Sequence, residues 1–172
     1  MSMNISQSLL PEFDMEIANT RKTLERVPDG KPEFRPHPKS MTMARLAGHV
    51  AEIPQWAAMT LGQTELDLNP PGAPKMESYV MTSCADAVAR FDGFAKQARA
   101  LIASTSDEAW MQTWTLKNGG QTVIAMPRVA VMRGFVMSHM IHHRAQLGVY
   151  LRMNDVPVPS IYGPSADEGG GM

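Results

Sequence analysis

Apolar residues recur at helical spacing in four stretches of the chain. From about Asn4 to Val27 they fall at Leu10, Phe13, Ile17, Leu24 and Val27, which predicts a first helix. Pro11 suits a first turn better than an interior, so this helix is expected either to kink at its entry or to start late. Pro28, Asp29 and Gly30 stop it, and the prolines of residues 31–40 predict an extended loop. A second helix begins near Ser40 or Thr42, either of which can cap it, and carries Leu46, His49, Val50, Ile53, Ala57 and Leu61 on one stripe. Pro54 lies inside that stripe and predicts a kink one turn after His49. Residues 62–81, with Gly62, Pro70, Pro71, Gly72 and Pro74, read as a long connection. A third helix opens at Ser83-x-x-Asp86, a capping-box-like pair. It runs to about Ile102, burying Val88, Phe91, Ala95 and Ala98, and a short turn follows at Ser106–Trp110.

The period then changes. β-formers at 110–116 and 121–125 flank Lys117-Asn118-Gly119-Gly120, and Asn-Gly between such runs predicts a hairpin. The fourth helix follows directly, with Pro127 near its first turn, and extends to about Met153. A tail over 155–172, rich in Pro and Gly, is not helical. Four long helices, one long crossover and a small β-hairpin before the last helix predict an all-α, antiparallel four-helix bundle in a single domain over 1–172.

Composition narrows the function. The chain has 172 residues, 44% hydrophobic and 19% charged, an ordinary globular balance. With 16 Lys plus Arg against 17 Asp plus Glu it lacks the basic footprint of a nucleic-acid binder or a polybasic membrane anchor. The single cysteine, Cys84, rules out an intrachain disulfide framework and a CxxC zinc site. No apolar run approaches the ~20 residues needed to span a bilayer, and the opening MSMNISQSLLPEF has no signal-peptide character, so a cytoplasmic location is expected. Methionine is unusually frequent, at 15 against 5 Phe, and is read mainly as core filler.

The chemistry concentrates in the fourth helix. Met132, Val136, His139, His143, Leu147 and Tyr150 form one stripe, so two histidines one turn apart sit in an otherwise apolar face. Side chains at i and i+4 are close enough for two imidazoles to share one metal ion. His142 is rotated off that stripe. His49, on the buried stripe of the second helix, offers a third imidazole toward the same interior. Three histidines with one position left open is a known catalytic metal arrangement. The alternative for each is a satisfied core or boundary histidine, which is the commoner case for a lone one such as His49, and position 140 is Met, so the HExxH pattern of zinc proteases is absent. Glu52 could serve as general base or support a ligand, and is otherwise a solvated flank residue. Arg144 could clamp an anionic substrate and is otherwise a surface arginine. Tyr162 and Asp167 lie in the tail, which could fold over the metal mouth or simply pack on the bundle. Cys84, near a helix N-terminus, is placed where a thiolate is favoured, though a small residue at a first turn is the plainer account.

The stretches LLPEFDMEIANTR, PHPKSMTMARLAGHVAEIPQW and TWTLKNGGQTVIAMPRVAVMRGFVMSHMIHHRAQLGVYLRMNDVPVPSIYGPSADE resemble the DinB family (DinB/YfiT-like), over nearly the whole chain. The family pattern is one His on the second helix and an HxxxH pair on the fourth, which His49, His139 and His143 match. The resemblance implies a four-helix bundle of DinB/YfiT type, a divalent transition metal (nickel, zinc or iron) and a homodimer. It implies no single reaction, since its characterised members include thiol-dependent transferases and isomerases.

Together these readings predict a metal-dependent enzyme acting on a small molecule. In the favoured version a low-molecular-weight thiol is activated for transfer. The alternatives are a metal-dependent hydrolase and a non-enzymatic metal- or ligand-binding, stress-related homodimer. A second apolar band on the fourth helix, Val131, Phe135 and Val149, also predicts a dimer unless the tail or the hairpin covers it.

Overall fold

The first helix, α1 (Ile5–Leu24), starts where Asn4 and Gln7 cap each other reciprocally, so strong capping at Asn4 overrides the late start that Pro11 allowed. Pro11 is tolerated inside the helix on its exposed side. A computed structural model describes residues 3–74 and 77–169. Its elements continue with α2 (Met43–Glu52), α3 (Gln55–Gly62), β1 (Glu65–Asp67), α4 (Cys84–Ser104) and α5 (Asp107–Met111). They end with β2 (Thr113–Asn118), β3 (Gln121–Pro127), α6 (Arg128–Val131), a π-helical stretch (Met132–Ser138) and α7 (His139–Met153). The chain is thus mostly helical with a small three-stranded sheet. Among the described residues no helix is long and apolar enough to cross a membrane.

Thr42, rather than Ser40, caps α2, and Pro54 breaks the expected second helix outright into α2 and α3. Ser83 caps α4 through the Asp86 N–H, but the Asp86 carboxylate turns instead to the hydroxyls of Tyr79 and Thr82. α1 packs on α4 and α7, and α2 on the same two helices. Leu9, Phe13, Leu46, Val50, Phe91, Ile102, Val136 and Leu147 fill the core between them. The buried face of α1 also holds Glu16, Asn19, Thr20 and Thr23, which apolar spacing alone did not mark. The methionines divide: Met43, Met132, Met137 and Met140 are core, while Met3, Met15, Met111 and Met153 are exposed.

The hairpin forms with its turn centred on Gly119-Gly120, one residue later than the Asn-Gly reading. Both glycines have positive φ, 61° and 79°, as a type I′ turn requires. Their N–H groups donate to the Asp67 carboxylate at 2.9 and 2.7 Å, which ties β1 to the turn. β1 pairs in parallel with β2, so the long connection contains a strand absent from the sequence reading. Trp114 and Leu116 of the hairpin cover Val131 and pack with Phe135 and Trp56. The second apolar band of the last helix is therefore covered within the chain, except at Val149, which is 56% exposed.

After β1 the connection returns along α2. The Met81 N–H donates to the Ala44 carbonyl at 3.0 Å. Gly48 permits this approach, since a Cβ there would lie 2.7 Å from the Tyr79 carbonyl oxygen.

Candidate metal centre

His49 projects from the last turn of α2, and His139 and His143 from the first and second turns of α7. Among the described residues these three form the one cluster of potential metal ligands, with one nitrogen from each within 4.8 Å of the others. Nε2 of His49 and Nε2 of His139 stand 3.1 Å apart. The rings are 4.6–5.0 Å apart by centroid, steeply inclined rather than stacked. Two nitrogens bound to one ion at about 2.0–2.1 Å in tetrahedral geometry lie about 3.3 Å apart, so the observed spacing fits a shared cation with little movement.

The surroundings select the correct tautomers. His139 Nδ1 lies 3.3 Å from the Phe135 carbonyl, and His143 Nδ1 lies 2.8 Å from Gln146 Oε1. Each Nδ1–H then donates outward, leaving the Nε2 lone pair for a metal. The π-helical stretch contributes here: the His139 N–H turns to the Val136 carbonyl, and the Phe135 carbonyl accepts from the imidazole. Burial pushes all three histidines toward the neutral form. For His49 this effect, reinforced by the positive forms of His143, His139 and Arg45, brings the pKa down to about 4. His139 and His143 are lowered chiefly by burial as well. Three imidazoles neutral at pH 7 are the state a transition metal needs.

Three clefts meet the cluster. One of about 480 Å³ reaches His143 beside Lys39, Met41 and Gln146. One of about 260 Å³ reaches His49 between Arg45, Trp56 and Leu66. One of about 330 Å³ reaches His139 beside Gly134, Phe135 and His142. Among the described residues, none of the tail lines any of the three.

The other expected residues are placed as follows. Glu52 lines the His49 cleft, with one carboxylate oxygen 2.9 Å from Arg90 Nη2 and the other accepting from the Tyr79 N–H at 3.4 Å. His142 is exposed: its ring stands edge-on to His143 at 4.8 Å between centroids, but its Nε2 meets Gln146 and it is not among the three converging ligands. Arg144 is neither at the histidines nor on the surface: it is 4% exposed and ion-paired with buried Glu16 of α1 at 2.6 Å. The Tyr162 hydroxyl bonds both Arg144 and Glu16, so this tyrosine fastens the tail to α1 and α7. Asp167 pairs with Arg152 and caps the Val158 N–H, again away from the cluster. Arg144 thus occupies a buried ionic joint, because Glu16 inside the core demands a cation, and the largely exposed Tyr162 reaches it with its hydroxyl. Cys84 keeps its thiol: burial, then Asp29 and Glu25, push its pKa up, and Sγ–H donates to the Leu24 carbonyl.

Sequence reasoning missed Gln146 and Arg45. Both were legible on a helical wheel, Gln146 three residues after His143 and Arg45 four before His49, but neither residue type announces a metal site.

Comparison with known proteins places the chain by fold and by family. The uncharacterized protein YrdA of Bacillus subtilis (strain 168) is 25% identical over 160 residues, spanning 92% of this chain and 89% of the relative. A DinB-like protein from Bacillus cereus ATCC 10987 superposes with a TM-score of 0.70 at 20% identity, covering 94% of this chain and all of that one (100%). A DinB-like protein of Bacillus subtilis, YjoA, superposes at 0.64 with 15% identity, over 91% of this chain and 99% of its own. At these identities the two solved structures speak for the fold. The profile of the DinB superfamily matches residues 12–147, and the chain belongs to that superfamily.

Proposed function

We propose that this chain is a metal-dependent enzyme acting on a small molecule, of the class that transfers a low-molecular-weight thiol to an electrophile. The supporting observation is the convergence of three imidazoles, held toward their neutral form, with one nitrogen from each within 4.8 Å of the others and each ring lining a cleft of its own. A nickel, zinc or iron ion held by His49, His139 and His143 supplies a Lewis-acid position at which a thiol or water is acidified toward neutral pH. The Phe135 carbonyl and Gln146 orient two of the ligands. Glu52, on the wall of the His49 cleft, is the carboxylate placed to accept a proton there, and Arg90 holds it in position. The four-helix bundle of DinB type supports this arrangement by setting α2 against α7. A homodimer is part of the proposal, with exposed Val149 and Met153 on α7 as its support; light scattering that returns the monomer mass at micromolar concentration rejects it.

Elemental analysis of protein purified without added metal tests the centre. The expected result is close to one transition metal per chain, lost in His143→Ala. Substoichiometric metal, with no heat on adding nickel or zinc, rejects it. Thiol consumption with a panel of electrophiles tests the reaction class. Turnover that consumes water without thiol replaces transfer by hydrolysis.

A further inference from the structure

The cleft at His49 contains an unmatched charge. Arg45 stands one turn before His49 on the same face of α2, and both residues line this cleft. Among the described residues its Nη1 is buried without a hydrogen-bond partner, and no carboxylate forms an ion pair with the guanidinium. A buried guanidinium nitrogen with unused donors is costly, and the cost is removed when an anion occupies the cleft. The adjacent acid does not compensate it, because Glu52 is committed to Arg90 and the Tyr79 N–H. Arg45 is also near enough to the cluster for its charge to act on both His49 and His143. Trp56, Met59, Leu66 and Leu68 give the cleft an apolar side, and Gln55, Asn69, Glu77 and Ser78 complete its wall.

We propose that this cleft takes the carboxylate head of the substrate on Arg45, with the substrate's apolar body lying against Trp56, Met59 and Leu66. A planar carboxylate matches the guanidinium fork. A phosphate dianion does not match the cleft, where, among the described residues, Arg45 is the one Arg or Lys on the wall and Glu52 and Glu77 are also present. A volume of about 260 Å³ equals roughly nine waters, which suits a short-chain or aromatic monocarboxylate. This assignment rests on reading the histidines as the reaction centre, since it places the substrate's anionic end beside them.

Calorimetric titration of the full chain with hexanoate and with hexanamide, as purified and again with EDTA, tests it. Hexanoate is expected to bind about tenfold or more tightly than the amide in both conditions. Arg45→Met is expected to abolish the difference, and Arg45→Lys to keep part of it. Nickel affinity gives the second readout. Removing a cation beside the histidines is expected to leave nickel binding equal or stronger in Arg45→Met, whereas a collapsed site would weaken it. Equal binding of acid and amide by the unsubstituted chain, absence of binding by both, retention of the preference in Arg45→Met, or tighter binding of inorganic phosphate each overturns the proposal. If the carboxylate preference holds while the unsubstituted chain takes up no nickel or zinc, the anion site stands and the metal reading falls; the converse pattern removes only the anion site.

Discussion

Two imidazole nitrogens facing each other at 3.1 Å, as His49 and His139 do, need either a shared proton or a cation between them. The metal-free protein has only the proton, and burial opposes a charge there. An unfolded histidine titrates near 6.5, whereas folded His49 titrates at about 4. Between those values the unfolded chain binds more protons, so stability is full above pH 6.5, falls as pH drops toward 4 and levels below it. The effect of His49 is on the order of 1–3 kcal/mol, discounted for the partial exposure of the ring. Urea unfolding of EDTA-treated protein at pH 7.5 and 5 is expected to show the loss, with a shallower slope in His49→Leu; identical slopes reject it. The neighbouring histidines separate sharply. His143→Ala is expected to abolish tight metal binding and His142→Ala to change it little, because His142 faces solvent and Gln146. Comparable losses in a nickel titration would place His142 in the site. Gln146→Leu removes the acceptor at His143 Nδ1 and is expected to weaken nickel binding about 10–100-fold without unfolding the chain.

Elements meet at two joints that their own periodicity does not display. One is the buried pair Glu16–Arg144 between α1 and α7. Arg144→Met leaves the Glu16 carboxylate buried without its cation and is expected to destabilise by about 3–5 kcal/mol, while adding Glu16→Leu recovers most of the loss. A double variant as unstable as the single one in urea would show that packing, not charge, is at stake. The other joint is Gly48 under Tyr79, where Gly48→Ala is expected to destabilise by about 1–3 kcal/mol. The four helical stretches, the cap at Ser83, the disturbance at Pro54 (expected as a kink, found as a break) and the hairpin were legible because each rests on local periodicity or turn chemistry, whereas the cap of α2 was narrowed only to Ser40 or Thr42. The strand β1 was not, since three residues carry no alternation and their pairing partner lies about fifty residues away. The π-helical stretch left no mark because its residues still read as an apolar helix. The histidine triad was visible as residue types on inward faces. The burial of Arg144 was not legible because its partner Glu16 sits on another helix, and nothing near either residue signals the pair.

At the scale of the whole molecule, the candidate ligands come from segments 90 residues apart, so the centre exists only in the folded chain. An ion that binds the folded state alone stabilises it in proportion to the logarithm of its concentration, by about 2.7 kcal/mol at one hundred times Kd. Nickel or zinc is therefore expected to raise the melting temperature in the unsubstituted chain and not in His143→Ala; an equal rise in both would assign the effect to nonspecific binding. The three clefts carry a further consequence. Their outer walls come from separate stretches: 36–41 for one, 66–69 with 77–78 for the second, and 134–138 for the third. The imidazoles themselves are fixed by two helices packed in the core. Two of these walls, 36–41 and 66–69 with 77–78, thus lie outside the helices that carry the imidazoles, whereas 134–138 runs directly into the helix of His139. Exchanging a loop retunes which molecule is admitted while the central triad stays intact, so this scaffold is suited to acquiring new substrates by surface change alone.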